Sequence, residues 1–319
     1  MPVRSLTVGA ATAAALIAIP VVAATATSPS GHATRDASAT SSVATARHKL
    51  PVAKIEKIVG LDGSVSSGVL DLSVSRPAIH DKGPHGVRFV TGFGVMGDID
   101  LQQRGAQAVL NADIPVLPKQ IQRTIDAIQA HHLVLQAEHQ HLYNMHPMVW
   151  FLHFRGKGNA LALAADVHAV LTAARVALPQ SEPKHPTTPL PAKTLAKVLG
   201  GEATVGEHGV VTVDIPRTSG VTLAGTKVSP DLNIASNVQF EPLAGGRAAV
   251  LPDFAMTSGQ VQRVIRMMRA DGWEIGCLYN QETAEHPQLY FSHTFKTGDP
   301  VALAEQVRRA LNETDASNK

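Results

Sequence analysis

The sequence predicts an α+β protein made of two tandem copies of one unit, each an antiparallel sheet with helices packed on one face. Three observations predict it. Residues on either side of a proline-rich break return at an offset of 140 positions. Stretches of alternating apolar and polar residues come in neighbouring pairs, as antiparallel strands do. Each pair is followed by a stretch whose apolar residues recur every three or four positions, the period of a helix buried along one stripe.

The repeat is the first thing to establish in a chain of 319 residues, which exceeds the usual length of one domain. Lys57, Gly60 and Val65 return as Lys197, Gly200 and Val205. Gln120, Gln122, Arg123, Ile125 and Ala130 return as Gln260, Gln262, Arg263, Ile265 and Ala270. His146, Pro147, Phe151, His153 and Gly158 return as His286, Pro287, Phe291, His293 and Gly298. A register held over this length marks a tandem duplication, with one copy at 49–177 and the other at 192–314.

Each copy opens with a short amphipathic helix ending at glycine, "KIEKIVG" and "KTLAKVLG", and continues into the alternating strands "GVLDLSVSR" and "GVVTVDIPR". Strands follow near Ile99 and over 106–114, matched by 238–240 and 248–254. The next helix carries the stripe Ile121, Ile125, Ile128, or Val261, Ile265, Met268. Two strands over about 134–142 and 149–155 are joined at the His146-Pro147 corner. A last helix carries Leu163, Val167 and Leu171, or Leu303, Val307 and Leu311. This β-β-α-β-β-α order segregates helices to one face of the sheet and leaves the other face as either the interface between copies or the site.

Outside the copies, residues 1–26 combine Arg4, an apolar run broken by Pro20, and small residues suited to cleavage, the pattern of an export signal. Residues 27–48 are Ala, Ser and Thr with hardly a large apolar side chain and read as a disordered tether. Residues 178–191 hold five prolines and read as a semi-rigid linker, and 315–319 form a tail. The expected location is secreted or cell-wall associated, with no stable membrane anchor after cleavage and an envelope partner or small ligand of unknown identity. Net charge is +2 with only short basic clusters, so no nucleic-acid partner is expected. Cys277 is the one cysteine, so no intramolecular disulfide forms, and on its strand it reads as a buried small residue rather than a nucleophile.

The chemistry-bearing stretch is "EHQHLYNMHPMVWFLHF", residues 138–154. On a strand, His139 and His141 project to one face, and His153 joins them if 139 pairs opposite 153 or 151. Three imidazoles with an open position hold zinc in hydrolytic sites, and imidazole also suits copper. His146 in the corner and Glu138 are possible additional ligands. If the protein is an enzyme, a metal-dependent hydrolysis would use Glu138 as the nearest carboxylate, although its neighbour relation to His139 points it to the opposite face. Copy two has Tyr279 and Gln281 where copy one has the pair, so the site is expected in copy one alone, with His293 dispensable.

Two other readings of the same residues stand beside this one. The histidines can be half-buried strand residues bonded to backbone carbonyls. Alternatively, the protein is a metal-free envelope module that holds a ligand or protein on the sheet face or in the groove between repeats. His131-His132 ends a helix, where positive charge suits the dipole. Trp150 and Tyr290 read as core. The Gly-rich "GFGVMGD" lacks the strand-to-helix setting of a dinucleotide site, and no H-E-x-x-H, G-x-S-x-G or P-loop occurs.

The stretch "HQHLYNMHPMVWFLHFRGKGNALALA" and its echo "YNQETAEHPQLYFSHTFKTGDPVALA" resemble the LppY/LpqO family of actinobacterial exported proteins, a domain of unknown function. His139, His141, Pro147, His153 and Gly158 carry the likeness in copy one, and Pro287, His293, Gly298, Asp299 and Pro300 in copy two. The resemblance implies a fold and an extracytoplasmic location but no established activity. The family is named for lipoproteins, and this chain lacks the cysteine that would accept a lipid.

Overall fold

The structure is a computed structural model that describes residues 49–181 and 183–318, all within one compact unit. The segments read as export signal and tether lie outside the described residues.

Repeat one runs α1 (Val52–Val59), β1 (Ser64–Ser66), β2 (Val69–Ser75), β3 (Asp81–Lys82), β4 (Arg88–Phe89), β5 (Met96–Arg104), β6 (Gln107–Val116), α2 (Ile121–Ala130), β7 (Val134–His139), β8 (Trp150–Gly158) and α3 (Ala160–Ala173). Repeat two runs α4 (Ala192–Leu199), β9 (Glu202–Val205), β10 (Val211–Ile215), β11 (Val221–Leu223), β12 (Thr226–Val228), β13 (Ser236–Pro242), β14 (Ala248–Thr257), α5 (Ser258–Ala270), β15 (Glu274–Ile275), β16 (Glu285–His286), β17 (Leu289–Gly298) and α6 (Pro300–Leu311).

Local chemistry sets the boundaries in the same way twice. α1 and α4 start after Pro51 and Pro191 and stop where Gly60 and Gly200 turn left-handed. Gln120 Oε1 accepts from Leu117 N at 2.8 Å and Gln260 Oε1 from Thr257 N at 2.7 Å, tying down the start of the middle helix. Asn159 and Asp299 cap the last helix of each copy.

The two main sheets are equivalent strand for strand: β1-β2-β5-β6-β8-β7 in repeat one, and β9-β10-β13-β14-β17-β15 in repeat two. Both are antiparallel throughout. Because side chains alternate along a strand, one face of each sheet is apolar and lies under its helices. Leu70, Leu72, Ile99, Leu101, Leu110, Leu152 and Phe154 form that face in repeat one, packed with Val167 and Leu171 of α3. Val213, Val238, Phe240, Val250 and Phe254 do so in repeat two, packed with Val307 and Leu311 of α6. Trp150 and Tyr290 sit at the margins of these cores, as expected.

The opposite faces cover each other, so of the two uses left open for that face the interface between copies is the one the fold realises. Each repeat also sends an arm over the other's sheet. Ile79, Phe89 and Phe93, on the segment between β2 and β5, pack with Ala249, Leu251 and Phe295 of repeat two. Leu223, Leu232 and Ile234, between β10 and β13, pack with Val69 and Val109 of repeat one. Backbone groups pin both arms: Gly94 N donates to Gln239 Oε1 at 2.8 Å, and Ser229 N to Gln102 Oε1 at 2.9 Å. The Gly-rich stretch 92–98 runs from the arm after β4 into the start of β5, with Phe93 and Val95 in the core.

The linker is fastened at both ends rather than spanning free. Gln180 bonds the Ser75 backbone through Oε1 and Nε2, each at 2.9 Å, and Leu190 enters the core of repeat two. The tail also docks, with Ser317 N donating to Pro216 O at 2.7 Å.

Candidate functional site

Between the two apolar clusters of the interface lies a seam of buried polar side chains. Its frame is a pair of cross-strand couples. Asp113 on β6 stands opposite His153 on β8, and Asp253 on β14 stands opposite His293 on β17. The couples occupy equivalent places in the two repeats, at the same offset of 140 residues. Asp113 and Asp253 were not among the residues singled out from sequence. The signal that marks them is their recurrence at the repeat offset inside otherwise apolar strands, where a carboxylate needs a reason to be buried.

Around this frame the structure gathers the expected triad. β7 pairs with β8 so that Ala137 faces His153 and His139 faces Phe151, with an irregularity between Leu135 and Ala137. His139 therefore shares a face with His153, and their Nε2 atoms are 2.8 Å apart. The strand expected to reach Leu142 ends at His139, because the chain there crosses to repeat two. The His141 carbonyl passes over Gly276 so closely that a Cβ on that glycine would lie 2.2 Å from it. His141 then stacks on Phe151 with ring centroids 3.4 Å apart, and on His293 at 3.8 Å.

Two expected ligands do not come along. Glu138 is exposed, on the face of β7 opposite His139. His146 is exposed at its corner, where its backbone N donates to Asp81 Oδ1 at 2.8 Å. His293, the copy-two counterpart of His153, stacks its ring on His141 from across the repeat interface. His293 Nδ1 lies 3.3 Å from Cys277 Sγ, and its Nε2 lies 3.7 Å from Asp253 Oδ2. Cys277 is half-buried and paired with an imidazole rather than packed as an apolar residue. His131 bonds Asp166 at 2.9 Å, away from the seam.

Burial dominates the electrostatics. Desolvation pushes His139 down to about 3 and holds His141, His153 and His293 well below the ordinary imidazole value, with the neighbouring rings adding to it. Desolvation raises the carboxyls, Asp253 and Glu282 to about 8 and Asp113 in the same direction. It raises the Cys277 thiol and the Tyr279 phenol as well. Near neutral pH the seam thus holds neutral imidazoles, the form that ligates metals, beside protonated carboxyl groups.

Hydrogen bonds satisfy part of this chemistry. Asp113 Oδ1 accepts from Asn233 Nδ2 at 3.1 Å and from Asp98 N at 3.3 Å. Glu282 Oε1 accepts from Asn111 Nδ2 at 3.1 Å and Gln281 Nε2 at 2.9 Å. Backbone hydrogen bonds with Gly94 and Ser292 bear on His141 and Asp253, and among the described residues of the seam Glu282 Oε2 is buried without a hydrogen-bond partner. Among the described residues, no three His, Cys, Asp or Glu side chains place their donor atoms as one metal ion requires. The rings stand stacked, with one Nε2 pair face to face.

No curated protein matches the chain. Among solved structures, a trimeric bacterial microcompartment shell protein, PduB, is 10% identical, with 82% of this chain and 97% of that chain covered and a TM-score of 0.21. EtuB from Clostridium kluyveri is 9% identical over 79% of this chain and 91% of that chain, with a TM-score of 0.20. Likenesses at that level carry no functional weight here. The family described as a Domain of Unknown Function (DUF1259) matches residues 53–173 and again 193–313, so the chain belongs to that family and carries its domain twice.

Proposed function

We propose that this chain is a binding protein that takes a divalent transition metal, zinc or copper, in the seam between its repeats. The observation that carries the reading is the His139–His153 pair, two neutral imidazoles whose Nε2 atoms face each other at 2.8 Å inside a buried polar cluster. Two nitrogens bound to one tetrahedral zinc at about 2.0–2.1 Å stand roughly 3.3 Å apart. Metal entry therefore parts the rings by about half an ångström and draws a further donor from the seam. Burial favours an ion over an organic ligand: none of the four imidazoles is more than 8% exposed.

A second reading rests on the same distance. At 2.8 Å one neutral ring donates to the other, and the seam is then a metal-free polar core that joins two halves of an envelope protein. The export pattern of residues 1–26 and the likeness to the LppY/LpqO proteins support action outside the cytoplasm in either case. No helix among the described residues is long and apolar enough to cross a membrane.

Elemental mass spectrometry on tag-free protein, prepared without chelator, separates the two. Near-stoichiometric zinc or copper in the wild type, absent from the double variant His139→Ala, His141→Ala, supports the metal. No metal in either, after incubation with both ions, leaves the hydrogen-bonded core.

A further inference from the structure

The segment that joins β7 to β8, residues 140–149, crosses to repeat two before it returns to its own sheet. It turns His141, Leu142, Met145 and Val149 inward and leaves Tyr143 and Asn144 exposed. Leu142 and Met145 join the apolar cluster around Phe89 and Phe295. His141 closes over the seam: its ring lies on His293 at 3.8 Å, and His293 Nδ1 in turn lies 3.3 Å from Cys277 Sγ.

On its exposed side the segment is held by one carboxylate. Glu274, half-buried on the edge strand β15 of repeat two, accepts from Tyr143 Oη at 2.9 Å through Oε2. Its Oε1 bonds His85 Nε2 on the arm of repeat one, and the His85 ring stacks on Phe295 with centroids 6.2 Å apart. Glu274 therefore fastens the crossing segment and the arm to β15 together. The fold does not demand it. By the repeat offset Glu274 answers to Val134 and Tyr143 to Thr283, and there the link is from Thr283 N to Gln136 Oε1 instead. Helix caps recur in both copies, whereas this carboxylate stands in one, at the crossing where His141 meets His293.

We infer that residues 140–145 are a strap that closes the seam and that Glu274 is its latch, so that small solutes enter when the strap lifts. Buried Leu142 and Met145 keep the closed form dominant, and the latch sets how often it opens. A hydrogen bond at the surface adds little to global stability, but it counts in full toward a local opening that breaks it. The strap works in the same way whether the seam takes metal or not.

Cys277 reports on it, being the one thiol of the chain and in contact with His293, the ring on which His141 lies. Metal-free full chain is treated with iodoacetamide, and the alkylation rate is read by intact mass beside the thermal midpoint. The chains compared are wild type, Tyr143→Phe, Glu274→Ala and, as a surface control, Glu138→Gln. The strap requires wild-type alkylation slower than that of the urea-unfolded chain. It also requires an acceleration of about two- to ten-fold in Tyr143→Phe and Glu274→Ala but not in the control, with midpoints within about 2 °C of one another. Wild-type rates in both variants overturn the latch. So does an acceleration that merely follows a lowered midpoint, since the thiol is then reached by global unfolding. Wild-type alkylation as fast as in the unfolded chain overturns the strap itself. Tyr143→Phe removes one exposed hydroxyl, so it decides the matter if Glu274→Ala fails to fold.

Discussion

His139 and Tyr279 occupy equivalent positions of the two repeats and lie face to face, their ring centroids 3.5 Å apart and their planes 19° from parallel. Equivalent residues meet only near an axis that relates the copies, so this stack marks the centre of the interface. The asymmetry of the site is concentrated there, with an imidazole on one side and a phenol on the other.

The stack makes Tyr279 a packing residue whose hydroxyl contributes little. Its Oη reaches only Gln281 Oε1, at 3.4 Å. Tyr279→Phe is expected to leave the thermal midpoint nearly unchanged, while Tyr279→Ala removes the ring on which His139 rests and costs about 3 kcal/mol. Equal destabilisation by both changes, measured by denaturant unfolding, would assign the energy to the hydroxyl instead.

Gly276 has no room for a side chain, since a Cβ would meet the His141 carbonyl at 2.2 Å. That atom is backbone and cannot swing aside. Gly276→Ala should therefore force the crossing apart, destabilise by about 1–3 kcal/mol and loosen His141 from its stack. The equivalent Gln136 tolerates its side chain, which bonds Asn111 Oδ1 at 2.8 Å and receives Thr283 N at 3.0 Å. A wild-type denaturation midpoint for Gly276→Ala would refute the close crossing.

Asn111 joins the two repeats from the centre of the seam, donating to Leu232 O at 3.0 Å and Glu282 Oε1 at 3.1 Å. Asn111→Ala takes the side-chain donor from Leu232 O, leaves Glu282 Oε1 with Gln281 Nε2, and removes the acceptor of Gln136 Nε2, for which about 1–3 kcal/mol is expected. Hydrogen exchange should show the loss first in residues 230–234 of the crossing arm. Protection lost only within β6 would show that the arm does not depend on this bond.

The pH dependence follows from opposite shifts. The seam imidazoles are lowered from 6.5, so the unfolded chain binds their protons first, and the stability they give is present above about 6.5 and lost as the pH falls. Asp253 and Glu282 are raised from 3.8 and 4.5 to about 8, so the folded chain keeps their protons. Their contribution is complete below the ordinary carboxyl range and declines as the pH rises toward 8. The two trends oppose each other between 4.5 and 6.5, and above 6.5 the carboxyls act alone. Metal-free protein is expected to lose thermal stability from pH 6.5 to about 8, and Asp253→Asn to flatten that decline. A midpoint that climbs over this interval would contradict the buried, protonated carboxyls.

The interface predicts that a cut in the linker leaves the halves together. A protease site placed between Pro183 and Pro186 would be cleaved without separating the repeats, because two apolar clusters and the reciprocal arms still join them. Co-elution of both fragments on gel filtration is the expected result, and two separate peaks would show that the linker holds the unit together.

What the sequence determined was everything governed by local period and by the repeat. Alternation put Leu70, Leu72, Leu110 and Leu152 on one face, the helical stripes of α2 and α3 supplied its cover, and the offset of 140 residues assigned the second sheet its matching order. Alternation brought His153 to the face of His139 only on condition of a strand register, and the pairing of His139 opposite Phe151 decided it. The tertiary structure decided the rest. That the polar faces of two sheets close on each other, that His293 reaches His141, and that Glu138 and His146 stay outside are facts about contacts between residues far apart in the chain. The exchange of arms across the interface is of the same kind. A strand pattern states which side of a sheet a residue takes. Only the packing of one sheet against another states what it meets there, and burial in that seam is what shifts the seam's carboxyls and imidazoles away from their ordinary values.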